Sequence, residues 1–157
     1  MAAKLFILVG VPGCGKSTWA RRVLGGVHVS SDEIRQELFG DEYNAKQNQQ
    51  VFERFYKEID KFLLTGINVI ADATNLNSFA RTELRRIADI VGCETHLFFF
   101  TNVEQALLRN AERDGEQHGS KRVPNEGMTL MLEKYELARR DIPLESYNSV
   151  TYIGSVS

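Results

Sequence analysis

Apolar residues fall into two rhythms along this chain: short unbroken runs that stop at a glycine or a polar residue, and longer stretches in which they recur every three or four positions. The runs Lys4 to Val9 (KLFILV), Val27 to Ser30 (VHVS), Asn68 to Asp72 (NVIAD) and Thr95 to Phe100 (THLFFF) predict strands, the first of them buried on both faces. Asn148 to Ile153 predicts a further strand at the sheet edge. Helical spacing covers Lys16 to Leu24, the segment SDEIRQELF with Ser31 or Asp32 as its cap, and Asn48 to Thr65 with Val51, Phe52, Phe55, Ile59, Phe62 and Leu63 on one stripe, stopped by Gly66. It returns in Ser78 to Val91, where Leu84, Ile87, Ala88 and Val91 share a face and Arg81, Arg85 and Arg86 lie off it. Thr101 and Glu104 have capping-box spacing and open a helix through about Asp114; Glu126 to Arg139 is the last helical stretch.

Strands alternating with helices imply an α/β fold: a parallel sheet of four to five strands with helices on both faces, and ligands at the carboxyl ends of the strands. A length of 157 residues fits a single domain, 1–157, with a polar, glycine-containing segment near 109–125 as a helical lid.

Composition changes this picture little. With 43% hydrophobic and 25% charged residues, the chain reads as an ordinary globular domain. The net charge of −2 argues against coating long nucleic acid through many phosphate contacts, but not against gripping one strand end. Cys14 and Cys93 lack CxxC spacing, so neither a disulfide nor a zinc framework is expected and a reducing cytoplasm is the simplest setting. The opening apolar run ends in glycine and no segment approaches the ~20 residues of a membrane helix, so no membrane partner is expected. His28, His96 and His118 lack metal-site spacing, and the first two fall inside predicted strands.

Chemistry enters with GVPGCGKSTWARR, where Gly, four residues and Gly-Lys-Ser stand between a strand and a helix. Gly10, Pro12, Gly13, Cys14, Gly15 and Thr18 belong to a backbone cradle for phosphates, with Cys14 offering only its N–H. Lys16 reaches the β and γ phosphates of ATP and the Ser17 hydroxyl is placed for Mg²⁺. An NKxD motif is missing, and the one DxxG match, Asp89 to Gly92, ends a predicted helix instead of following a strand, which argues against a GTPase; the small size points to a phosphotransferase.

Asp32 follows the second strand at the carboxyl edge of the sheet, with Arg35 one turn later. There Asp32 is either a general base for an acceptor hydroxyl or an N-cap, and Arg35 either an anion contact or a solvated cation. Asp72, ending the third strand, is either a magnesium-water partner or a turn cap; Thr74 and Asn75 are candidate substrate contacts. Arg109 and Arg113, with Lys121 and Arg122, are either lid cations for the donor phosphates or a solvated basic helix end.

Taken in order, GVPGCGKSTWARR, SSDEIR, ADATNLN and the RNAER…KRVP segment resemble the kinase domain of phage-type and bacterial polynucleotide 5′-hydroxyl kinases, over roughly Lys4 to Met128. The resemblance implies ATP and Mg²⁺ as cofactors and the 5′-hydroxyl end of RNA or DNA as acceptor. It assigns Asp32 as general base, Arg35 as the grip on the phosphate beside that hydroxyl, and Arg113 as the lid arginine. A DxDGT phosphatase motif is missing, so 3′-phosphate removal is not expected. The rival readings are a small-molecule kinase on the same scaffold and a nucleotide-sensing module.

Overall fold

The computed structural model describes residues 2–40, 45–112 and 125–154. Five strands, β1 (Lys4–Val9), β2 (Val27–Ser30), β3 (Val69–Asp72), β4 (Glu94–Phe100) and β5 (Ser149–Ile153), form one parallel sheet in the order β2-β3-β1-β4-β5. β1 lies at the centre, and its Leu5, Ile7, Leu8 and Val9 are fully buried, as a strand covered on both faces requires. The register sets Ser30 of β2 beside Asp72 of β3, so two polar strand ends meet at the carboxyl edge.

Among the described residues six α-helices, α1 (Lys16–Val23), α2 (Ser31–Phe39), α3 (Asn48–Leu64), α4 (Ser78–Val91), α5 (Val103–Glu112) and α6 (Asn125–Asp141), surround the sheet. Trp19 of α1 packs its ring 5.1 Å from Phe98 and 5.5 Å from Phe100, whereas Tyr135 of α6 stacks at 5.2 Å on Phe99. Successive strand residues point to opposite faces, so α1 and α6 cover opposite sides of β4. The expected α/β architecture with helices on both faces is therefore present. No helix among the described residues is long and apolar enough to cross a membrane.

Local chemistry explains the element ends, with three corrections to the sequence reading. The N-cap of α2 is Ser30, whose hydroxyl accepts from the Glu33 N–H at 3.2 Å, so neither Ser31 nor Asp32 caps it. Thr101 does not open α5: its hydroxyl donates to the Ile153 carbonyl, and Asn102 immediately precedes the helix, its carbonyl accepting from the Ala106 N–H. Third, Arg81 lies on the buried face of α4 with Leu84 and Ala88, fully inaccessible to solvent. Its Nε and Nη2 each donate to Glu145 at 2.8 Å, and its Nη1 donates to the carbonyls of Asn75 at 3.1 Å and Leu76 at 2.8 Å. Tyr147 donates to the same Glu145 at 2.6 Å, and the Arg85 guanidinium sits over the Tyr147 ring. A buried charge is tolerated because every side of it is paired.

Candidate active site

The phosphate loop is shaped by contacts on its outer side. Gly10 donates to the Thr74 carbonyl at 3.0 Å, tying the loop's start to the segment after β3. A Cβ at Gly10 would stand 2.7 Å from Cys14 Sγ and 3.1 Å from Phe100 Cβ, so only glycine fits there. Gly13, at φ +85°, adopts a left-handed conformation that other residues reach only with strain. Cys14 turns its thiol into the core and leaves its backbone to the loop.

The helix α5 holds this loop from outside. Asn102 Nδ2 donates to the Cys14 carbonyl at 2.8 Å and Arg109 Nη1 to the Gly13 carbonyl at 3.3 Å. In a trans peptide the N–H points opposite to the C=O, so the Asn102 bond aims the Gly15 amide away from α5. Gly15 then opens α1 in a left-handed conformation, which leaves the first N–H groups of that helix free to meet an anion.

Beneath the loop lies a compact polar cluster. The Ser17 hydroxyl donates to Asp72 Oδ2 at 2.6 Å, and His28 Nε2 bonds the same oxygen at 2.6 Å. Asp72 and His28 are both largely buried. Burial, the largest influence, pushes the Asp72 carboxyl up. The His28 hydrogen bond, the Lys16 charge and the Ser17 hydroxyl together outweigh it and hold the group below its ordinary value of 3.8. The unfolded chain therefore binds more protons than the folded one just below that value, and the stabilisation present above it is lost as the pH falls through the depressed pKa. Urea titrations from pH 5 to pH 2 are expected to show an acid loss of stability that is shallower in Asp72→Asn; identical slopes would refute this linkage.

Asp32 and Arg35 stand on the first turns of α2, just past the Ser30–Asp72 pair. They form an ion pair at 2.5 Å in which Asp32 is 88% exposed and Arg35 only 23%. Arg35 Nη2 also donates to Asn48 Oδ1 at 3.3 Å, at the start of α3. An exposed carboxylate steered by a half-buried guanidinium is suited to an incoming polar ligand.

The structure thus gathers Lys16, Ser17, Asp72, Asp32, Arg35 and Arg109 at one edge of the sheet. The Asn75 side chain is buried, with Nδ2 donating to the Leu8 carbonyl at 2.7 Å, which braces β1. Thr74 acts through its carbonyl on Gly10, with a half-buried side chain. Arg113, Lys121, Arg122 and most of the proposed lid lie outside the described residues. Sequence reasoning missed His28 and Asn102. The alternation in VHVS does put His28 on the face of Ser30, but its meeting with Asp72 depends on a strand register that spacing alone does not reveal.

Oxygen donors suit a hard divalent cation, and Ser17 with Asp72 supplies two side chains of that type. No group of three or more His, Cys, Asp or Glu is placed to hold a metal by itself among the described residues.

Comparison with known proteins agrees with this geometry. A protein of Autographa californica nuclear polyhedrosis virus, named as a bifunctional polynucleotide kinase/RNA ligase, is 33% identical over an alignment 130 residues long that covers 70% of this chain and 18% of that protein. A chain of the Pnkp1/Rnl/Hen1 RNA repair complex superposes with a TM-score of 0.74 at 26% identity, over 89% of this chain and 46% of its own. The chain thus spans less than half the length of either relative. Chaetomium thermophilum Kti12, solved with ADP-AlF3, shares the fold with a TM-score of 0.71 at 18% identity, over 96% of this chain and 88% of its own. The AAA domain family model matches residues 5–138, and with the phosphate loop, its flanking strand and helix, and the Asp72 strand end all in place, the chain belongs to that family of nucleotide-binding P-loop domains and has a kinase-like fold.

Proposed function

We propose that this chain is an ATP- and Mg²⁺-dependent kinase that transfers the γ-phosphate to the 5′-hydroxyl end of RNA or DNA. The observation that carries the reading is the exposed Asp32 carboxylate, paired to Arg35, at the strand edge beside Ser17 and Asp72. Similarity to a polynucleotide kinase/RNA ligase supports the choice of acceptor.

In this reading the phosphate loop and Lys16 bind the donor, and Ser17 and Asp72 would hold the cation, which would neutralise charge on the donor phosphates. Arg35 exchanges part of its pairing with Asp32 for the phosphate next to the terminal nucleoside. Asp32 then takes the proton of the 5′-hydroxyl as its oxygen bonds to the γ-phosphorus, and the bond to the ADP oxygen breaks. Arg109 stands beside the loop, and the family resemblance assigns Arg113, with Arg122, to the donor phosphates. The chemistry takes place in a cytoplasmic setting.

The test is a panel. Labelled γ-phosphate ATP is offered with 5′-hydroxyl oligonucleotides, nucleosides and sugars, and label on oligonucleotides alone is expected. Label on small molecules alone would replace this reading with a small-molecule kinase, and nucleotide binding without transfer would replace it with a sensing module.

Arg35 yields a sharper expectation. A nucleoside 3′-monophosphate should be accepted and the bare nucleoside poorly used, by about tenfold or more for a charge-assisted contact, with the gap closing in Arg35→Ala. Equal kcat/KM for both acceptors in the unmodified protein would remove Arg35 from the role.

A further inference from the structure

His28 is a largely buried polar side chain that the transfer steps above do not use. Its Nε2 lies 2.6 Å from Asp72 Oδ2, the oxygen that also accepts from Ser17 at 2.6 Å. An ionised carboxylate only accepts, so Nε2 carries the proton, and in the neutral ring Nδ1 is then an acceptor. Nδ1 is buried and has no hydrogen-bond partner among the described residues. An apolar side chain of similar volume would avoid that orphaned atom. What the polar ring adds is the single bond from Nε2.

That bond is aimed by the sheet. His28 stands opposite Ile70 and Ser30 opposite Asp72, so the imidazole reaches two positions along the neighbouring strand to its carboxyl end. Two donors converge on one oxygen from different elements, β2 and α1, and rotating the carboxylate would break both bonds. We propose that His28 is a positioning residue for Asp72: it fixes the carboxylate against Ser17 and thereby sets the affinity for the divalent cation that accompanies the nucleotide. The inference rests on the donor half of the function proposed above and not on the acceptor.

The experiment measures Mn²⁺ binding to the ADP-saturated full chain by the electron paramagnetic resonance of free Mn²⁺, with metal-free ADP binding and melting temperature followed in parallel. His28→Leu removes the donor and keeps bulk. His28→Asn keeps polarity but falls short, and stands in if the leucine variant does not fold. His28→Gln retains an N–H near the reach of Nε2. Losing a hydrogen-bond partner of a metal-site carboxylate is expected to weaken Mn²⁺ binding by about 10–100-fold in the leucine and asparagine variants, with the glutamine variant close to the unmodified protein. Unchanged Mn²⁺ affinity in the first two variants overturns the proposal, even if all three melt earlier. So does a glutamine variant as weak as leucine, or an equal loss of metal-free ADP binding, which would make His28 a brace for the loop. Failure to phosphorylate any 5′-hydroxyl end would leave this readout intact, so the two claims fail separately.

Discussion

Asp32→Asn is expected to slow single-turnover phosphorylation of a 5′-hydroxyl oligonucleotide by about 10²–10⁴-fold, the usual contribution of a positioned general base. Asparagine is nearly isosteric with aspartate but is a poor proton acceptor. The substitution would have been ambiguous had Asp32 capped α2, since asparagine caps about as well. Ser30 holds that position through its bond to the Glu33 N–H, so capping is untouched. The side chain is also 88% exposed, so its loss removes little packing. Melting temperature and ATP affinity should therefore stay near those of the unmodified protein while the rate falls. A rate within about threefold of the unmodified protein would remove Asp32 from proton transfer, because general-base loss is an order of magnitude or more larger.

Arg81→Met is expected to cost about 3–5 kcal/mol, because it leaves the largely buried Glu145 carboxylate without its partner. Two backbone carbonyls, of Asn75 and Leu76, lose their donor in the same step. For a domain of this size the loss corresponds to about 6–20 °C in melting temperature. The double variant Arg81→Met with Glu145→Leu should recover a substantial part, since removing both charges also removes their desolvation cost. A single variant that melts within about 2 °C of the unmodified protein would show that this cluster contributes little.

Much of the fold was legible because parallel strands and amphipathic helices write different periods. Lys4–Val9 and Ser78–Val91 have the boundaries that those periods predict. Most of what escaped depends on partners distant in sequence. Arg81 stands three before Leu84 and seven before Ala88, which is core spacing, yet its charge argued for the surface until Glu145 supplied the counter-ion. His28 is a comparable case, ordinary within its own strand and informative only once β3 lies alongside. At the site, the phosphate loop was readable from spacing because its chemistry is local. Asn75 and Asn102 were not, since each donates to a carbonyl in an element far away along the chain.

The Arg81 cluster also bears on the order in which the molecule can be assembled. Glu145 holds Arg81, Arg81 holds the carbonyls of Asn75 and Leu76, and the adjoining Thr74 carbonyl holds Gly10 at the start of the phosphate loop. A cradle encoded between positions 10 and 17 is thus braced from position 145. On a ribosome, where the chain emerges from its N-terminus, this relay of bonds can be completed only after the segment bearing Glu145 has left the exit tunnel.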